Sequence, residues 1–302
     1  MALPFTQAGF FPGCSLATSA KEAAASLVTA CRLSGLELVE TPDWNCCGTS
    51  SAHSLDRELA LGLTARNLSL APAGLPLLVM CPSCHKNLAA ARRHLAEDPL
   101  RRRQESRRWG RDIDPTLKIV SILEIAHRLA RPEGGGEKPL TGLRVAPYYG
   151  CTTAMPPALA PLRSRLHGSL ERILKRFGAE VVPWREGMRC CGTFLTVTRP
   201  DVVGPLVDGI LQAARNRRAD CLVTVCAMCQ MNLEMRTTLT DPPPTLHLSE
   251  LLALALGAQE GEGWFAKHLV DPRPLLKAKG LLGRKRGEKA PGSESAGRSG
   301  ST

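Results

Sequence analysis

Ten of the twelve cysteines in this chain fall into one pattern that occurs twice. The first copy runs from Cys14 through the vicinal pair Cys46-Cys47, followed by Gly48, to Cys81-Pro82-Ser83-Cys84. The second runs from Cys151 through Cys190-Cys191-Gly192 to Cys226-Ala227-Met228-Cys229. Thirty-one residues separate the lone cysteine from the pair in the first copy and thirty-eight in the second; from pair to Cys-x-x-Cys the spacers are thirty-three and thirty-four. The flanks agree as well, since Leu77-Leu78-Val79-Met80-Cys81 parallels Leu222-Val223-Thr224-Val225-Cys226, and Asn87-Leu88 parallels Asn232-Leu233. A duplication of this kind requires two similar domains, each able to bring five thiols together over long sequence distances.

The residues between the cysteines indicate how. In the first copy a short apolar strand over 8–13 leads to Cys14, and a helix over 20–33 is stopped by Ser34-Gly35. A strand follows at 36–40, an amphipathic helix over 54–70 is broken by Pro72 and Gly74, a strand over 75–80 delivers Cys81, and a helix runs over 84–95. The second copy repeats the plan with strands over 143–148, 179–182 and 221–225 and helices over 170–177, within 201–214 and from Gln230. Such alternation predicts an α/β fold: two duplicated Rossmann-like domains with parallel sheets. A parallel crossover returns the chain to the same sheet edge after about thirty residues, so cysteines at successive strand ends gather at one carboxyl edge, where helix N-termini favour thiolates. Segments 119–129 and 246–256 read as a further helix closing each half. The expected organisation is a first domain over 1–131 with an exposed basic insertion at 97–118, a Gly/Pro-rich linker at 132–139, a second domain over 140–276, and a disordered basic tail at 277–302.

The formal charge of +11 is concentrated outside the arrays. The tail holds seven Lys/Arg against two Glu, and residues 92–118 hold nine Lys/Arg against five Asp/Glu. With aromatics at only 4%, interleaving of basic and aromatic residues on a folded face is absent, which argues against a nucleic-acid binder. No run approaches the eighteen apolar residues of a membrane span, and the first seven residues lack the basic and apolar regions of an export signal. The expectation is a cytoplasmic protein of a reducing compartment whose thiols bind metal.

Five thiols per half leave several chemistries open. Structural zinc takes four ligands, usually from two Cys-x-x-Cys-like pairs, and each half has one. Iron–sulfur cubanes also take four thiolates, so five implies a spare redox thiol or a cluster using all five. Cys-x-x-Cys can also act as a dithiol. The repeated order, each time with Cys-Cys-Gly, favours a metal site.

The pattern resembles the paired cysteine-rich (CCG) domains of the heterodisulfide reductase B subunit family. The similarity extends to Phe11-Pro12-Gly13-Cys14-Ser15, Asp43-Trp44-Asn45 before Cys46, Tyr148-Tyr149-Gly150 before Cys151, Thr198-Arg199-Pro200-Asp201 and Gln230-Met231-Asn232-Leu233 after Cys229, and covers about residues 8–276. The resemblance implies that Cys14, Cys46, Cys47, Cys81 and Cys84 hold one non-cubane [4Fe-4S] cluster, and Cys151, Cys190, Cys191, Cys226 and Cys229 another. It further implies an oxidoreductase that splits a disulfide bound between two clusters with two electrons, or forms it in reverse. Electrons would come from two other members of the same complex, a ferredoxin-like C subunit fed by a flavin-bearing A subunit, since this chain has neither a G-x-G-x-x-G motif nor a ferredoxin cysteine run. The runner-up is the CCG electron-transfer subunit of a lactate- or glycolate-oxidising complex; a third reading is a zinc-stabilised scaffold.

Outside the arrays the candidates are few. His53 and His85 follow cysteines and are candidate proton donors, against a surface or capping role. Tyr149 is a candidate for hydrogen bonding to substrate, with core packing as the alternative for it or Tyr148; Arg199 is a candidate anion contact, with a helix-flanking role as the alternative. Cys31 and Cys221 read as ordinary buried cysteines, and Met228, Met231 and Met235 as packing residues at helical spacing.

Overall fold

The computed structural model describes residues 4–49, 51–126, 128–129, 138–150 and 166–282. Cys151, residues 132–137 of the expected linker and residues 283–302 of the expected tail lie outside these.

The first half is built from β1 (Gln7–Phe11), α1 (Gly13–Ala17), α2 (Lys21–Leu33), β2 (Glu37–Glu40), α3 (Ser51–Leu55), α4 (Arg57–Ser69), β3 (Leu77–Val79), α5 (Pro82–Glu97), α6 (Pro99–Trp109), β4 (Ile119–Ser121) and α7 (Ile122–Ile125). Local chemistry sets the boundaries. The Asp56 carboxylate accepts from the backbone N–H groups of Glu58 and Leu59 and starts α4, three residues later than the apolar spacing predicts. Pro82 at the first position of α5 has no N–H to leave unpaired.

All four strands are parallel, in the order β2-β1-β3-β4. β3 is buried throughout and β1 is buried from Ala8 onward, as expected for strands covered on both faces. The second half repeats this with β5 (Arg144–Tyr148), α8 (Ser169–Arg176), β6 (Glu180–Val181), α9 (Pro200–Asn216), β7 (Cys221–Thr224), α10 (Ala227–Arg236), β8 (Thr245–His247), α11 (Leu248–Ala255), α12 (Gly261–Phe265) and α13 (Arg273–Ala278), its sheet ordered β6-β5-β7-β8. The α/β class and the duplication of Rossmann-like units are as the sequence implies.

Three local expectations are revised. Segments 119–129 and 246–256 are not single helices: each opens with a three-residue strand, the fourth of its sheet, and turns into a helix through a capping box at Ser121–Glu124 or His247–Glu250. Residues 97–118 are not a plain exposed insertion. They contain α6, capped by Asp98, and Ile113 and Leu117 beyond it pack into the core. Their arginines hid the helix, because Arg101 pairs with Glu58 and buried Glu105 and Arg108 lies over the Trp109 ring. Past residue 276, α13 continues, Leu281 is buried, and Lys279 donates to the Gly142 carbonyl and pairs with Asp220.

The two halves share one apolar core. α2 lies against α11, with the Ser26 and Ser249 hydroxyls 2.8 Å apart and Ser249 donating to the Ala23 carbonyl at 2.9 Å. Leu27, Ala30 and Cys31 from α2 join Leu251, Leu252, Phe265 and Cys221 in a continuous cluster, so Cys31 and Cys221 are packing residues. A fully buried leucine at such a junction contributes about 1.5–3 kcal/mol, which explains why the halves dock closely.

Candidate metal centre

In sheets of this strand order, ligands bind at the carboxyl edge between the first and third strands, where the chain direction switches. Cys14 follows β1 and Cys81 follows β3, so these two straddle that switch point; Cys226 holds the corresponding place after β7. Cys81 and Cys226 are N-cap residues of α5 and α10, and Cys84 and Cys229 sit in the first turns, where the helix dipole stabilises thiolate.

The vicinal pairs lie in irregular backbone held by side chains. Asn45 and Asn67 exchange two hydrogen bonds of 2.9 Å each, backbone N–H to amide oxygen and amide NH2 to backbone carbonyl. The Cys47 carbonyl accepts from Thr64 Oγ1 and Asn87 Nδ2, both at 3.1 Å. In the second half Asn232 Nδ2 donates to the Cys191 carbonyl at 2.7 Å, and Asn232 Oδ1 accepts from Thr196, whose hydroxyl takes a bond from Arg236 at 2.9 Å. The same asparagine therefore anchors the pair to the Cys-x-x-Cys helix in both copies. Gly13 (φ +70°) and Gly150 (φ +56°) bring backbone against the last cysteine of each array: a Cβ at either would lie 3.1 Å from the Sγ of Cys84 or Cys229.

The sulfurs themselves form a chain that crosses from one half to the other. Cys47 takes hydrogen bonds from Cys46 and Cys84, which hold its pKa down at about 4. Cys81 is likewise lowered, first by the thiol of Cys226 from the other half and then by Cys84. Cys46 and Cys84 give these protons together with Cys226; the pKa values of Cys46 and Cys84 are raised by their partners and by burial, and that of Cys226 is also raised. Cys229 reaches Cys191 at 3.4 Å and lowers it to about 7. Cys14 stands 3.8 Å from Cys46, and the Gly192 N–H donates to Cys190 Sγ at 3.3 Å. Among the described residues no three His, Cys, Asp or Glu surround a single metal-ion position. The donors are soft and, in the first array, whose five cysteines are all described, more numerous than the four a single ion takes, which fits polynuclear iron–sulfur ligation.

A cavity of about 210 Å3 opens between the arrays, lined by cysteines of both halves and walled by Pro82, Tyr149, Phe194 and Met228, with Lys86 the charged side chain among the described lining residues. Of the other candidates, only Tyr149 lines it. Its hydroxyl is committed elsewhere, donating to Glu171 and accepting from the Leu170 N–H at 2.9 Å, and burial followed by Glu171 pushes its pKa up. His53 is exposed on α3, and Arg199 is exposed and paired with Asp201 at 2.8 Å; neither lines the cavity. His85 is fully buried, its Nε2 3.7 Å from Glu124, and not on the surface. Met228 is a cavity wall in addition to packing, while Met235 is exposed. Sequence reasoning missed Phe194 and Lys86 as lining residues; the only available sign of the asparagine tethers was their repetition at matching positions.

Fold and site together define a protein of two docked Rossmann-like domains that present paired thiol arrays to one shared cavity. The CCG cysteine-rich domain model matches residues 8–89 and 145–234, and the chain belongs to that family. It is 32% identical, over 88% of its length and 98% of the relative, to the 8-methylmenaquinol:fumarate reductase membrane anchor subunit of Wolinella succinogenes. It is 26% identical to the B subunits of CoB–CoM heterodisulfide reductases from Methanosarcina acetivorans, over 75% of this chain and 81% of the relative, and Methanosarcina mazei, over 74% and 80%. A crystal structure of a hypothetical protein from Helicobacter pylori superposes with a TM-score of 0.70 at 13% identity, covering 90% of this chain and 53% of that one, a likeness of fold. No helix among the described residues is long and apolar enough to cross a membrane.

Proposed function

We propose that this chain is an iron–sulfur electron-transfer subunit of a multi-subunit reductase complex. Cys14, Cys46, Cys47, Cys81 and Cys84 hold one [4Fe-4S] cluster and Cys151, Cys190, Cys191, Cys226 and Cys229 a second. When bound, each cluster supplies one-electron redox chemistry, and its form with five thiolates is the non-cubane one. The cavity between the arrays takes a disulfide, and the reaction consumes two electrons and two protons to give two thiols. The single observation that supports this is the thiol chain from Cys46 to Cys191 through Cys81 and Cys226, which puts both arrays at one cavity. Tyr149, Met228 and Phe194 would hold the apolar parts of the substrate, and Lys86 an anionic group. Two partner proteins, one ferredoxin-like, the other flavin-bearing, deliver the electrons in the cytoplasm.

A second reading is favoured by the relative at 32% identity, whose name joins a quinol to a membrane-anchored reductase. There the same apolar cavity takes a quinol, which is also a two-electron carrier, and the complex sits on a membrane. Anaerobic purification separates these readings from a zinc scaffold: two four-iron clusters give about eight irons per chain with matching acid-labile sulfide. A colourless protein with one or two zincs would sink both. Reduced viologen oxidised by a heterodisulfide supports the first reading; oxidation only by a menaquinone analogue supports the second, and oxidation by neither points to a relay of the lactate- or glycolate-oxidising kind.

A further inference from the structure

Behind the second array lies a cluster of three buried ionisable groups that the function above does not use. His268, in the segment between α12 and α13, places Nδ1 2.7 Å from Glu234 Oε1 and Nε2 3.0 Å from Glu250 Oε1. All three side chains are at least 95% buried. Both ring nitrogens face carboxylate oxygens, so the imidazolium is the form that satisfies both. The remaining carboxylate oxygens are also occupied: Glu234 Oε2 accepts from the Leu269 N–H at 2.7 Å and Glu250 Oε2 from the His247 N–H at 2.7 Å. Burying three charges is costly, and apolar residues of similar volume would hold these elements together as well. Such a cluster in a redox protein points to a role for its protons.

Its position supports that role. Glu234 lies on α10, whose N-cap is Cys226 and whose first turn holds Cys229. Gln230, next to Cys229, has its Nε2 3.2 Å from His268 Nε2. The opposite side of the trio faces a second cavity of about 190 Å3, with Ser19, Glu22 and Lys267 in its lining. The turn of α10 that separates the two cavities thus has thiols on one side and a proton-accessible charge cluster on the other. In the first half Glu124 occupies the place of Glu250, but Ala89 stands at the position of Glu234, so the second carboxylate is particular to this array.

We propose that His268, Glu234 and Glu250 form a redox-linked proton site for the second array. It rests on the cluster assignment made above. With a cluster in the second array, each electron supplied by the partner redox protein would be accompanied by one proton from solvent, entering through the Lys267 side cavity onto the carboxylate pair, and the two would leave together. The added negative charge in a low-dielectric region raises the proton affinity of the nearby carboxylates. The other ionisable groups facing His268 are His247, which burial keeps neutral, Asp271, which is paired with Arg273, and Glu22 and Lys267 in the side cavity.

The test is a redox titration of the iron-loaded full chain, followed by electron paramagnetic resonance between pH 6 and pH 9, with the second cluster identified as the wave absent from Cys229→Ser protein. One proton per electron makes its electron affinity fall tenfold per pH unit, or about 59 mV for a one-electron couple. Glu234→Gln and His268→Gln should flatten that dependence at unchanged iron content. An iron-loaded wild-type protein with a pH-independent potential overturns the proposal, as does either variant retaining the full slope. If one variant fails to take up iron, the wild-type slope and the other variant decide. A protein without iron overturns the cluster assignment itself, and the proposal falls with it.

Discussion

Asn232→Ala should destabilise this protein markedly more than the matching change Asn87→Ala, although the two asparagines occupy equivalent places. The Cys191 carbonyl takes its side-chain hydrogen bond from fully buried Asn232, so truncation leaves a buried acceptor without a donor, at about 1–3 kcal/mol. The Thr196 hydroxyl loses its acceptor in the same step, adding roughly 0.5–1 kcal/mol because its bond from Arg236 survives. Asn87 is half-buried, and the Cys47 carbonyl keeps the bond from Thr64; the expected loss is about 0.5–1 kcal/mol. The difference traces to one substitution between the copies. Thr64 stands one turn after Ala60, which packs on Gly48, and Val207 stands one turn after Val203, which packs on Gly192 and offers no hydroxyl. Urea denaturation of the iron-free protein under reducing conditions measures this. A gap of about 2 kcal/mol between the variants appears as a midpoint difference of about 1 M at a slope of about 2 kcal/mol per M. Equal losses, or a larger loss in Asn87→Ala, would refute the account of how the vicinal pairs are held.

Three further outcomes follow from the same geometry. Gly13→Ala and Gly150→Ala force an L-residue into left-handed backbone and a Cβ to 3.1 Å from a cysteine sulfur; each should cost about 1–2 kcal/mol and lower iron uptake in its own half, read by melting temperature and iron analysis. Cys81→Ser and Cys226→Ser should each lower iron from about eight to about four per chain, whereas Cys31→Ser, in the apolar core, should leave iron unchanged while lowering stability. Burial alone would lower the pKa of His268, but Glu234 and Glu250 outweigh it and hold it at about 10, above the ordinary 6.5. Because the folded value is the higher one, this stabilisation is complete below about pH 6.5 and is lost as pH rises through 10. Urea midpoints of wild-type protein should therefore fall over that window, and those of His268→Gln should fall less.

Much of the fold was legible because its signals are local. Apolar runs such as Leu77–Met80 and helical spacing such as Leu55–Leu70 report on residues a few positions away, and they place the elements to within about one turn. Errors arose where one side-chain bond moves a boundary, as Asp56 does for α4, or where a strand of three residues passes straight into a helix, as at Ser121 and His247. Arg101 of α6 reads as solvated because one of its carboxylate partners, Glu58, lies on another helix and the other, Glu105, is buried beneath it. His85 carries no local sign that it is buried beside Glu124, and the trio of His268, Glu234 and Glu250 is assembled from three separate elements.

The sequence by itself determined the duplication, the supply of thiols and the parallel α/β architecture, since order, spacing and periodicity are properties of a linear chain. It also implied that cysteines at successive strand ends share one sheet edge, because a β-α-β crossover returns the chain there. Only the tertiary structure decided that the two edges face each other. Contact between Cys81 and Cys226 depends on α2 docking against α11, and that docking is set by the fit of two apolar surfaces and the Ser26–Ser249 bond across them. Such a fit is a relation between distant surfaces, and no local pattern encodes it.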